Sequence, residues 1–125
     1  MLKKLLMISL VPMMFAGCTG TFTNLSARQQ PRNPNNLYSV GVAFQSRQKS
    51  LRWESVEPYV VVGSESYPLR KTPIAENRWE GLLPVPANSP GVAYRYKFKY
   101  QYDYFGGPQS DSEISPEYHL TILGQ

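Results

Sequence analysis

The segment AYRYKFKYQYDYF, residues 93–105, carries an aromatic ring at every even position from Tyr94 to Tyr104, with Arg95, Lys97, Lys99, Gln101 and Asp103 between them. In a strand, side chains two apart share a face, whereas a helix would scatter the same rings around its whole circumference. The segment therefore reads as one extended strand with an aromatic face and a polar, mainly basic face. At about 3.4 Å per residue, the run from Tyr94 to Tyr104 exceeds roughly 30 Å. A small two-layer fold cannot cover that length, so Tyr94, Tyr96 and Phe98 are expected inside, with Tyr102, Tyr104 and Phe105 only partly covered. Two readings of the ring row follow: it is core packing throughout, or its outer part is a surface on which sugars stack.

The same period of two recurs elsewhere. LYSVGVAFQ sets Tyr38, Val40, Val42 and Phe44 against Ser39, Gly41 and Ala43, and EYHLTIL sets Tyr118, Leu120 and Ile122 against His119 and Thr121. LRWE is a short candidate strand. EPYVVV and YPLRKT flank GSES as a hairpin with a loop of about four residues. RWEGLLPV is a further strand with Trp79 near its start, and Pro84 and Pro86 imply that it either runs to an edge or ends there. ANSPG and GGPQSDSEISP read as turns. No window after residue 18 has helical spacing, and eleven prolines and nine glycines punctuate the chain. The pattern predicts an all-β protein, an antiparallel β-sandwich of six or seven strands over residues 37–123. Residues 19–36, TGTFTNLSARQQPRNPNN, are polar, with Phe22 and Leu25 as their only bulky apolar side chains. They read as a flexible tether. As a coil, such a segment reaches roughly 20–25 Å, which lifts a domain clear of lipid headgroups.

The amino-terminal region has a different character. Lys3 and Lys4 precede the uncharged apolar run LLMISLVPMMFAG, residues 5–17. That run is short of the ~20 residues a spanning helix needs, and it has the length of a signal-peptide core. The only cysteine, Cys18, follows directly, and a lone thiol is unusual in an exported chain. FAGC resembles the lipobox of bacterial lipoproteins, with Phe15 where the pattern usually has Leu. The resemblance implies cleavage after residue 17 and a diacylglycerol-bearing, acylated Cys18 that anchors an exported protein to a membrane. Thr19, rather than Asp, after the cysteine implies the outer membrane over the inner one. Without residues 1–17 the balance of charge is 11 − 9 = +2, since Lys3 and Lys4 account for two of the thirteen cations. That charge is poor evidence for nucleic acid, which an exported protein would rarely meet, so none is expected as a partner.

RWEGLLPVPANSPGVAYRYKFKY, Arg78 to Tyr100, is similar to a stretch of the early-set immunoglobulin-like modules of starch- and glycogen-active proteins. In those modules a tryptophan-bearing strand ends in a proline pair and a Y-x-Y-K-F strand follows. The resemblance implies an immunoglobulin-like sandwich, with Trp79 and Lys97 as candidate glycan contacts. Where those modules continue into a V-D-G hairpin, this chain has QYDYFGGP. From side-chain chemistry alone, Trp53, Trp79, Tyr102 and Tyr104 are the candidate stacking surfaces for a sugar.

Little else suggests chemistry. His119 is the only histidine, no GxSxG motif occurs, and with Cys18 acylated no metal site is expected. The pairs Glu54/Glu57, Glu76/Glu80 and Asp111/Glu113 lack a domain large enough for a glycosidase cleft. They read as solvated charges or as partners for Arg52, Arg78 and Lys71. DSE in GGPQSDSE lacks calcium-loop spacing. The expected protein is a non-enzymatic, cofactor-free envelope lipoprotein that binds or supports another component, an envelope protein or a glycan, through a sandwich surface. The alternative is a carbohydrate-binding module.

Overall fold

The alternating segments close into two sheets packed face to face. The computed structural model describes residues 20–46 and 50–124, so Cys18 and the expected signal peptide lie outside the described residues. The strands are β1 (Gly20–Asn24), β2 (Gln29–Pro31), β3 (Leu37–Ser46), β4 (Leu51–Val62), β5 (Glu65–Pro68), β6 (Arg70–Lys71), β7 (Arg78–Pro84), β8 (Gly91–Tyr104), β9 (Gly107–Ile114) and β10 (Tyr118–Leu123). One sheet has four strands in the order β1-β3-β7-β6. The other has six, ordered β2-β10-β8-β4-β5, with β9 also paired to β8. β2 and β10 run parallel; the other pairs are antiparallel.

β8 organises the larger sheet. β4 occupies one of its edges, while β10 and then β9 share the other: β10 pairs with Gly91 to Tyr94, and β9 pairs with Lys97 to Tyr104. At the handover Ser115 is buried. Its N–H donates to Tyr96 O (2.9 Å), and its Oγ accepts from Tyr96 N–H (2.8 Å). A side-chain hydroxyl thus stands in the ladder where one strand leaves and the next arrives.

The ring row behaves as its parity predicts. Tyr94, Tyr96, Phe98 and Tyr100 are buried, Tyr102 is half-buried, and Tyr104 and Phe105 are 62% and 87% exposed. Phe98 lies at the centre of an aromatic cluster, its ring centroid 4.7 Å from Phe44, 5.4 Å from Phe22 and 5.1 Å from Trp79. The cationic neighbours face outward: Arg95 pairs with Glu117 (3.6 Å), and Lys99 lies over the Tyr59 ring.

Four expectations need correction. The expected tether is not one over residues 20–31: β1 pairs with β3 and β2 with β10, which brings the strand count above six or seven. Composition misleads here because the polar side chains find buried partners. Phe22 packs on Phe44, Asn24 Nδ2 donates to Tyr94 OH (2.9 Å), and Tyr96 OH donates to Asn24 Oδ1 (2.8 Å). Ser26 Oγ lies 3.0 Å from Tyr96 OH and accepts the Gly41 N–H (2.9 Å). The hairpin at GSES turns on Gly63 and Ser64 alone, with Gly63 at φ 58°. LRWE and EPYVVV belong to a single strand, β4. GGPQSDSEI is no turn cluster but largely β9, because β8 outruns the core and offers its far end a hairpin partner.

The hydrogen-bonded cluster of Asn24, Ser26 and Tyr96 has a pH signature. Burial pushes the Tyr96 phenol well above the ordinary tyrosine range, and the Ser26 hydrogen bond opposes this less strongly; burial raises Tyr118 as well. Below about pH 10 both folded and unfolded chains keep the Tyr96 proton, so its contribution is intact. Above that pH the unfolded chain releases a proton the folded one retains, and stability falls by roughly 1.4 kcal/mol per pH unit for Tyr96. Tyr96→Phe is expected to remove that part of the slope, as read by urea unfolding at pH values of about 9 and about 11.

Candidate functional site

β4 does not follow β8 smoothly. Arg52 pairs with Gln101 and Glu57 with Lys99, so residues 53–56 stand opposite Tyr100 alone. Ser55 closes the gap: its hydroxyl accepts the Gln101 N–H (2.8 Å) and donates to Arg52 O (2.6 Å). Bulges of this kind re-aim side chains, and this one swings Trp53 over the rim of the sandwich. Trp53 is 44% exposed and stacks on Trp79, centroids 6.3 Å apart and planes inclined by 15°. Trp79 is itself buried, with Phe98 edge-on to its ring and Lys71 Nζ 5.7 Å from its centroid.

The two indoles form one wall of a cleft of about 410 Å³, whose other sides include Leu69, Lys71, Glu76 and Asn77. The polar members come from β6 and the loop that joins it to β7. Lys71 Nζ donates to Ala75 O (2.9 Å), and Thr72 N–H donates to Arg78 O (2.9 Å), which ties the loop across its base. Within it Asn77 sits at φ 56° and Ile74 at φ 67°. Asparagine tolerates that region; a β-branched side chain there costs about 1–2 kcal/mol. Ile74 is fully exposed, so no packing of its own offsets the cost. Strain of this sort collects where a loop is held in shape for binding.

Of the expected contacts, the structure brings together Trp53 and Trp79 in one place and Tyr102 and Tyr104 in another, with Lys97 apart from both. Trp79 is no open platform, because its own burial, the stack with Trp53 and the edge-on Phe98 ring cover it; of the two indoles Trp53 is the exposed one. Lys97 points from the outer face of β8, where it lines a different depression of about 680 Å³ with Glu54, Glu57 and Asp111. Trp79 and Lys97 therefore do not line one cleft: an odd position of β8 faces away from the interior that holds Trp79. Tyr102 and Tyr104 meet edge to face near the β8–β9 turn, centroids 6.2 Å apart, outside the tryptophan cleft. Glu76 and Asn77 were not expected as site residues. The loop TPIAEN has no periodicity, and its turn signals, Pro73 and Asn77, say nothing of a ligand.

The acids take ordinary partners. Arg52 reaches Glu54 (3.7 Å) and Asp103 (3.8 Å), and Glu80 pairs with Arg70 (3.6 Å), not with Arg78 or Lys71. His119 is exposed on β10. Among the described residues no group of three metal-ligating side chains is gathered. A half-exposed indole above a cleft with an ammonium, a carboxylate and an amide suits a ligand with both apolar faces and hydroxyls. Comparison with protein-family models, with curated proteins and with solved structures gives no match for this chain.

Proposed function

We propose that the chain is a membrane-anchored, non-enzymatic envelope lipoprotein that binds another envelope component through the surface of its sandwich. The anchor reading rests on Lys3 and Lys4, the apolar run and FAGC ahead of the domain. The binding reading is carried by one observation: the bulge in β4 puts Trp53, half-exposed, over a cleft whose loop is held in a strained shape. Labelling cells with an alkyne fatty acid tests the anchor. The wild-type chain is expected to take up label and Cys18→Ala to take up none; equal labelling removes the reading.

A glycan is the second reading, favoured by the stack of Trp53 on Trp79 beside Glu76 and Asn77. The chain has two tryptophans and both line this cleft, so intrinsic fluorescence reports on it alone. Titration with soluble α-glucans and peptidoglycan fragments is expected to shift the emission, and Trp53→Ala to abolish binding. A flat titration across the panel leaves an envelope protein as the ligand class.

A further inference from the structure

The β8–β9 hairpin ends in an aromatic tip. Phe105 and Gly106 make the turn, with Gly106 at φ 86°, and Tyr104 pairs with Gly107 just below it. Phe105 is 87% exposed and Tyr104 62%, with their rings 5.5 Å apart; Tyr102 extends the row toward the core. A cluster of bare rings at the end of a projecting ribbon is costly in water and is the composition that membrane interfaces favour.

The register of β1 says where this tip stands relative to the start of the domain. Asn24 meets Tyr94, and Phe22 meets Phe98, so going backward along β1 climbs β8 toward the tip. Gly20 arrives at the level of Tyr100: a Cβ placed on it would lie 3.0 Å from Glu113 Oε1, and Glu113 Oε2 accepts the Tyr100 hydroxyl at 3.0 Å. From Gly20 to Cys18 the chain spans at most about 7 Å. From Tyr100 to Phe105, at about 3.4 Å per residue, the hairpin projects about 17 Å. The start of β4 accompanies β8 as far as Asp103, and the tip beyond it still stands at least as far past the level of Gly20 as the anchoring cysteine can reach.

We infer that the Tyr102–Tyr104–Phe105 tip is a second membrane contact that enters the lipid interface beside the Cys18 anchor and sets how the sandwich stands on the bilayer. This rests on the anchor reading above. An 18-residue coil would have let the domain drift clear of the surface; a β1 that begins at Gly20 does not. One chain end held by acyl groups leaves the domain free to swivel, and an apolar tip embedded next to it removes that freedom. The cleft at Trp53 and the loop at Ile74 are then presented at a fixed attitude.

The test uses the full chain, processed in cells, purified with its lipids and reconstituted into vesicles of phosphatidylethanolamine and phosphatidylglycerol. Cys18 is the only cysteine, and acylation consumes its thiol, so Phe105→Cys supplies a single site for a nitroxide. Ser64→Cys, in the exposed turn at the opposite end of β4, is the reference. Collision with oxygen relative to a water-soluble nickel chelate is expected to be several-fold higher at position 105 than at 64. Equal ratios, with the diacyl mass present on Cys18, overturn the tip contact and leave the anchor standing. A missing acyl mass overturns the anchor and the tip contact with it.

Discussion

Replacing Phe98 by alanine is expected to destabilise the domain by about 3–5 kcal/mol, the largest effect of any single substitution in the ring row. Phe98 is fully buried and touches Phe22, Phe44 and Trp79, rings contributed by three different strands, so its removal opens a cavity that none of them can fill by a rotamer change alone. Total stability for a domain of this size is about 5–15 kcal/mol, and a loss of that order lowers the melting temperature by roughly 15 °C or more. Lys97→Ala, one position away and on the outer face, is expected to stay within about 0.5 kcal/mol. Thermal and urea unfolding of the two variants measure the contrast. A Lys97 variant as damaging as the Phe98 variant would contradict the parity on which the sandwich is built.

Phe22→Ala is expected to cost about 2–3 kcal/mol, less than a fully buried phenylalanine because its ring is only partly covered. The inward residues of β1 are Gly20, Phe22 and Asn24; Thr21 and Thr23 face solvent. Phe22 lies 4.9 Å from Phe44 and roofs the same cluster that Phe98 floors. Thr23→Ala serves as the control and is expected to change stability by a few tenths of a kcal/mol. A tether would give the opposite picture, with both substitutions silent in urea unfolding.

How much of this could be read from the chain differs by region. The faces of β3, β8 and β10 were legible because each repeats its apolar residues strictly every second position, and a register error would have flipped every ring into water. The projection of Tyr104 and Phe105 followed from length alone. β1 and β2 were illegible because Phe22 is their one bulky apolar side chain and the rest of what holds this segment is polar. Asn24 and Ser26 look solvent-loving until two tyrosine hydroxyls and the Gly41 backbone are placed beside them, and that meeting is a product of tertiary pairing. β9 was misread for a related reason: its Gly-Pro-Gln-Ser-Asp-Ser composition carries turn residues, yet a neighbouring strand that outruns the core imposes extended pairing on it.

The candidate site was half legible. Two tryptophans among short strands invited attention, but only the bulge between Arg52 and Glu57 decides that Trp53 is presented and Trp79 covered, and a three-residue excess in one strand leaves no periodic trace. The lysine carried over by resemblance lies apart from the tryptophans because facing is set by odd and even position, which a short motif match does not test. The loop with Ile74, Glu76 and Asn77 acquires meaning only from its backbone angles and its place beside the indoles.

β1 is a working strand and no tether: it completes the core, and the proposed membrane contact depends on it. Amide hydrogen exchange on the full chain tests it most directly. The prediction is that the β1 amides facing β3, and the Leu25 amide bonded to Gly41 O at 2.8 Å, are protected to the same degree as those of β3. Exchange of residues 21–25 at the rate of an unstructured peptide, with residues 37–123 still protected, would contradict it.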